Sequence, residues 1–303
     1  PSPTIWGMNE GLARIVIPTL VSILVFLAGV LVNWFSKNST NRIKAISFKQ
    51  SILYWCRKLI PTLEKQKLAL EQFAKEVSSL DEINTVSLSL YPIHFDQLNT
   101  IPLEKYIYAF KDTTIINSKK NKKQYVESTE YYTYGLIYQF TYISDLNNQI
   151  KTEYDIYLNK VKFYMDEWNK ANKIGKDICD QIVSTYPQNA EAKELKAIII
   201  SVLNNAPNGV CISFMKEKYV NPILHWSSQN MNHQDFGVKA QKLRSIFLAL
   251  DELLFLYQTE IKKGYAARYS DSAQRLNEGI KSMKNAIDYF DQCKTKYIVK
   301  HYI

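Results

Sequence analysis

Residues 15–35 read Ile15-Val16-Ile17-Pro18-Thr19-Leu20-Val21-Ser22-Ile23-Leu24-Val25-Phe26-Leu27-Ala28-Gly29-Val30-Leu31-Val32-Asn33-Trp34-Phe35, without a single charge. As a helix this run would extend about 31 Å, the thickness of a bilayer's hydrocarbon core. Fourteen of its residues are Leu, Ile, Val or Phe, which favours insertion by about 4 to 8 kcal/mol before the polar positions are counted against it. A cleaved signal peptide would carry its basic residues ahead of the apolar run. Here only Glu10 and Arg14 precede it, whereas Lys37, Arg42, Lys44, Lys49, Arg57 and Lys58 follow. The positive-inside rule therefore predicts an extracytoplasmic segment 1–14, a transmembrane helix 15–36 in the lipid bilayer, and a cytoplasmic domain 37–303. Trp34 and Phe35 fit an inner aromatic anchor, and Trp6 an outer one.

The non-aliphatic residues of the run are not scattered. Thr19, Ser22, Phe26, Gly29 and Asn33 follow at steps of three and four, which puts them within an arc of about 80° on one helix face. Hydroxyls and an amide facing lipid would be unsatisfied, so the stripe predicts contact with other helices or with water. With one span per chain those helices come from other subunits. Two arrangements satisfy the pattern: a packing seam of small and polar residues, or a pore with Phe26 as an apolar constriction.

The whole chain has 303 residues, a net charge of +9, 21 Tyr, and only nine Gly and nine Pro. So few turn formers over such a length point to long helices, and the expected fold class is all-α, a helical bundle behind the membrane helix. Pro61 is placed to open a helix over 62–77. Residues 85–90 alternate like a short strand, a tyrosine-rich helix is expected from 127 to 149, and a further long helix should run from about 154 to Tyr186-Pro187. Residues 210–232 fit either strand or helix. The last two helices carry the stripes Leu243, Ile246, Leu250, Leu253, Tyr257, Ile261 and Leu276, Ile280, Met283, Ile287, Phe290. No internal repeat and no linker long enough to divide the cytoplasmic part stands out.

Catalytic motifs are missing from the sequence. It has no glycine-rich phosphate loop, no G-x-G-x-x-G, no H-E-x-x-H and no G-x-S-x-G, so no cofactor, no metal and no enzymatic activity is expected. Cys56, Cys179, Cys211 and Cys293 are far apart and read as reduced core residues. His225 and His233 flank Trp226 at a spacing that would let them share a site, although such a pair is more commonly unpaired polar surface.

What stands above this background is the joining of basic and aromatic residues. Lys119, Lys120, Lys122, Lys123 and Tyr125 lead directly into Tyr131, Tyr132, Tyr134, Tyr138 and Tyr142. A second group comprises Lys239, Lys242, Arg244, Lys262, Lys263, Tyr265, Arg268 and Tyr269. Lysines that neutralise phosphate beside rings that stack bases, at about 1–3 kcal/mol per base, are what a nucleotide or single-stranded oligonucleotide requires. From these, Lys119, Lys120, Lys122, Lys123, Tyr125, Tyr131, Tyr134, Tyr138, Lys242, Arg244, Lys263 and Arg268 are the candidate ligand contacts. The bland reading is a tyrosine stripe in the core and a solvated lysine loop. Net charge alone does not argue for nucleic acid, because residues 1–67 carry nine Lys/Arg against two acids and so hold +7 of the +9. That excess sits beside the expected membrane, where it orients the helix.

A single N-terminal membrane helix followed by a lysine- and tyrosine-rich helical domain resembles the membrane effectors of bacterial antiphage defence systems, and most closely the channel-forming effectors of Hailong systems. The resemblance covers the layout of the chain and rests on no diagnostic motif. It implies a homo-oligomeric inner-membrane ion channel, a tetramer, held closed by a single-stranded oligodeoxyadenylate that a partner nucleotidyltransferase makes. Opening would depolarise the infected cell. The residues leave two alternatives from other classes: a membrane-anchored helical scaffold or adaptor whose stripe is a dimer seam, and a tethered hydrolase or nuclease with a site assembled from scattered acids and His225 or His233.

Overall fold

The computed structural model describes residues 41–93, 95, 98, 100–112, 122–205 and 209–301, together with Val25; the side chains of 41–43, 111–112, 122–126 and 294–301 lie outside that description. The apolar run 15–36 therefore falls outside it except for Val25, as do all five residues of the polar stripe, Thr19, Ser22, Phe26, Gly29 and Asn33. Among the described residues no helix is long and apolar enough to cross a membrane.

What is described is helical, with no strand beyond one isolated antiparallel bridge between Glu82 and Cys211. In chain order the helices are α1 (Asn41–Ser79), α2 (Leu103–Ile107), α3 (Lys122–Thr185), α4 (Ala190–Asn205), α5 (Ile212–Met215), α6 (Asn221–Gln229), α7 (Gly237–Tyr257) and α8 (Ala266–His301). Three π-helical stretches, Tyr108–Asp112, Lys216–Val220 and Gln258–Tyr265, continue α2, α5 and α7.

The helices divide into two compact units, neither contiguous in sequence. Among the described residues, the first comprises those within 41–64, 92–145 and 277–301, and the second those within 65–91 and 146–276. The sequence predicted one undivided domain; the division escapes a search for linkers because α1, α3 and α8 each contribute to both units.

Two expected helix boundaries are not there. Pro61 lies inside α1 rather than at a helix start. A proline there removes one backbone bond at about 3 kcal/mol, but its ring is exposed while Ile60 and Leu63 beside it are buried, and that burial offsets the loss. The break foreseen near residue 150 is also absent: α3 runs 64 residues. Leu146 within its polar stretch 145–149 and Ile150 just after it are both buried, so the apolar seam continues.

The first unit packs α1, α3 and α8 around aromatic side chains. Trp55 meets Phe95 and Phe140 edge-on at 5.2 and 5.9 Å, and Phe110 meets Phe290 at 4.7 Å with the Lys49 ammonium 4.7 Å from the Phe290 ring. Surface pairs Arg57–Asp291 and Lys284–Glu64 join the same helices, at about 0–1 kcal/mol each.

The second unit buries Trp168, Trp226, Tyr157, Tyr257, Tyr265 and Tyr269 almost completely, each such side chain contributing about 1.5–3 kcal/mol. Residues 84–90 are extended without belonging to a sheet. The expected alternation is real in burial, since Val86 and Leu88 face inward and Ser87 and Ser89 outward. Their backbone partners, however, are tyrosine hydroxyls: Val86 N–H donates to Tyr157 (2.9 Å) and Leu88 N–H to Tyr154 (3.2 Å). Tyr257 donates to the carbonyls of Glu82 and Asn84 at 3.1 and 3.3 Å. The Gln66 side chain completes the segment, accepting from Tyr91 N–H at 2.7 Å. The ambiguous stretch 210–232 is helical, entered through Gly209 at φ 96°, a left-handed conformation that suits glycine.

Candidate functional site

At 100° per residue, Tyr131, Tyr134 and Tyr138 lie within about 60° of one another on α3. Leu136, Phe140 and Ile143, all buried, occupy the opposite side. The tyrosines are thus turned away from the core: Tyr131 is 73% and Tyr138 62% exposed.

They border a groove of about 540 Å³ within the first unit. Tyr131, Tyr132, Tyr134 and Tyr138 come from α3, and Ser282, Asn285 and Ala286 from α8. The two helices approach closely, since a Cβ at Gly279 would stand 3.1 Å from Gln139 Oε1 and 3.2 Å from Ile143. Gly135 leaves open space beside the rings, for a Cβ there would meet nothing within 4 Å.

The rings are held at defined angles. Tyr132 stacks on Tyr289 (4.3 Å, 22°), whose hydroxyl lies 2.8 Å from Thr129 Oγ1. Tyr138 stacks on Tyr142 at 5.8 Å and 16°. Gln139 lines the same groove, while its Oε1 is buried beside Gly279 and has no hydrogen-bond partner. Exposed phenol faces offer stacking to a planar ring, while Gln139, Ser282 and Asn285 offer neutral hydrogen-bonding groups. The lining contains no charged residue.

The sequence candidates thus separate. Tyr131, Tyr134 and Tyr138 come together in the groove. Lys122 and Lys123 open α3, about 12 Å along its axis from Tyr131, with their side chains and that of Tyr125 outside the described residues, as are Lys119 and Lys120 entirely. Lys242, Arg244, Lys263 and Arg268 line no part of it. Lys242 and Lys263 are exposed on α7 and the π-helical stretch after it. Arg244 Nε donates to Ser228 Oγ at 3.2 Å, and Arg268 lies 5.2 Å from the centre of the Tyr265 ring. Tyr265 and Tyr269, the aromatic half of that second group, are core residues 1% and 0% exposed, so they offer no face to a base. Sequence reasoning missed Gln139, Ser282 and Asn285: the last two stand far from the tyrosines in the chain, and no local pattern links them.

The remaining titratable groups do not form a metal site among the described residues. His233 lies against Phe236 at 3.7 Å, accepts from Asp235 N–H at 3.2 Å and stands 3.5 Å from Asn189 Nδ2, whereas His225 is exposed. Burial pushes the Cys179 thiol up to about 12 and Cys56 higher still, leaving both protonated and poor nucleophiles at neutral pH. No family model, curated protein or solved structure matches this chain.

Proposed function

We propose that the chain is the subunit of a homo-oligomeric, inner-membrane channel-forming effector of antiphage defence, gated by a nucleotide or single-stranded oligodeoxynucleotide that binds its helical domain. The observation that carries the reading is the tyrosine groove between α3 and α8, whose exposed rings suit base stacking. Lys119, Lys120, Lys122 and Lys123, which precede these tyrosines in the sequence, are the source of the phosphate-neutralising charge that the groove's own lining lacks. The uncharged run 15–36 supplies the membrane helix, with Thr19, Ser22, Phe26, Gly29 and Asn33 turned to the assembled pore. In this reading the protein binds and gates rather than catalyses, and a partner nucleotidyltransferase makes the ligand. A nearly complete switch requires the ligand to prefer one state by about 10⁴-fold.

The test is ion flux from liposomes containing the purified protein, with and without single-stranded oligodeoxynucleotides. Conductance that responds to oligonucleotide supports the proposal. An oligomer that never conducts under either condition overturns it in favour of the scaffold.

A further inference from the structure

Along the part of α3 that belongs to the second unit, three large apolar side chains are left in solvent: Ile156 (44% exposed), Phe163 (59%) and Ile174 (47%). At 100° per residue they fall within about 20° of one line. The core-facing residues Tyr157, Tyr164 and Trp168 lie to one side of that line. To the other side, within about 40° of each other, lie Asp155, Lys162, Asp166 and Lys173. All four are exposed, and among the described residues none closes an ion pair within its own chain.

The order of these charges is self-complementary. If two copies of α3 pack antiparallel about a two-fold axis near residue 164, Asp155 faces the partner's Lys173 and Lys162 faces the partner's Asp166. Each contact then occurs twice, as an isologous interface demands. The same register brings Phe163 to within about 3 Å along the axis of the partner's Phe163, and Ile156 to within about 3 Å of the partner's Ile174, so the apolar line is covered too. A parallel two-fold would instead put the two charged flanks on opposite sides of the contact, so that none of these four charges would meet its complement. From this match of apolar line and charge order we infer that the exposed face of α3 over 155–174 is an antiparallel homodimer contact. It concerns how copies meet outside the membrane and does not depend on ion conduction.

Asp155 and Lys173 stand about 27 Å apart on one helix, too far for a disulfide within one chain. The full-length Asp155→Cys, Lys173→Cys double variant in detergent, under mild oxidation, is expected to give a covalent dimer, and so is Phe163→Cys alone. Wild type, with its own four cysteines, and Asp155→Cys alone are expected to give none. A double variant and a Phe163→Cys variant that both stay monomeric on denaturing gels, or an Asp155→Cys variant that dimerises as fully as the double, would overturn the inference. Lys173→Glu should then cut Phe163→Cys cross-linking about fivefold, and Asp155→Lys added to Lys173→Glu should restore it. Failure to restore, with helical circular dichroism unchanged, also counts against the interface.

Discussion

The two halves of α3 use tyrosine in opposite ways. In the first unit Tyr131, Tyr134 and Tyr138 stand outside, with Leu136, Phe140 and Ile143 filling the core behind them. In the second unit Tyr157 and Tyr164 are themselves the core, and with Tyr154 their hydroxyls bind the extended segment's backbone and Glu260. Residue type and helix are the same; what differs is the face on which the tyrosines fall, for Tyr157 and Tyr164 share the buried face with Ile150 and Val161. Where Leu, Phe and Ile take the buried face, tyrosine is free to present its ring to a ligand. On the core side tyrosine is buried: the hydroxyls of Tyr154 and Tyr157 meet the backbone of Leu88 and Val86, whereas those of Tyr265 and Tyr269 are buried without a hydrogen-bond partner.

The sharpest way to break this contrast is truncation. Tyr269→Ala, removing a fully buried ring that meets Phe73 at 4.6 Å, should cost about 3–5 kcal/mol in urea unfolding, while Tyr138→Ala should stay within about 0.5 kcal/mol of wild type. Equal losses at both sites would erase the distinction. Binding should reverse the ranking: Tyr138→Ala is expected to weaken oligonucleotide affinity by about 1–3 kcal/mol in fluorescence anisotropy, whereas Arg244→Ala, outside the groove, should leave it unchanged.

Removing a hydroxyl alone probes the second unit more finely. Tyr157→Phe keeps the ring but strands Val86 N–H, and should cost about 1–3 kcal/mol, read by urea unfolding. The same change at Tyr131 should cost nothing measurable.

The smallest effect is electrostatic. Burial alone would raise the Asp81 carboxyl, but hydrogen bonds from Ser213 Oγ, Cys211 Sγ and the Ser213 backbone, with Lys262 nearby, hold it below its ordinary 3.8. A depressed carboxylate stabilises the fold above its unfolded value and loses that contribution as pH falls through the lower folded one. The Tm gap between wild type and Asp81→Asn should therefore be widest above about pH 5 and close on acidification towards about pH 2.

Several features were legible in the chain itself. Few glycines and prolines and persistent apolar stripes dictated helices; the α8 stripe is buried with Leu276, Ile280 and Met283 in the core, whereas in α7 Leu243 and Leu250 are buried but Ile246 and Leu253 are only half-buried, with Phe247 and Leu254 taking the core positions beside them. Alternation at 85–90 correctly marked which side chains turn inward, because burial follows the backbone's two-residue period whether or not a sheet forms. It misnamed the partner, because a tyrosine hydroxyl seventy residues away leaves no mark beside the segment it binds. Pro61 and the polar stretch 145–149 looked like helix ends because local propensity is weak beside continuous core contact on both sides.

The groove shows the same division. Its tyrosine wall was readable from Tyr131, Tyr134 and Tyr138 opposite Leu136 and Phe140, an amphipathic relation within one helix. Its other wall, Ser282 and Asn285, and the unpartnered Gln139 amide were decided by how α8 returns against α3, and so was the fate of Tyr265 and Tyr269, which local spacing offered as ligand contacts and packing buried. By itself the sequence determined a predominantly helical chain with an uncharged run long enough to cross a bilayer, because composition and periodicity act residue by residue. The tertiary structure alone decided which aromatic rings face solvent and which polar groups meet, because those depend on contacts between segments far apart in the chain.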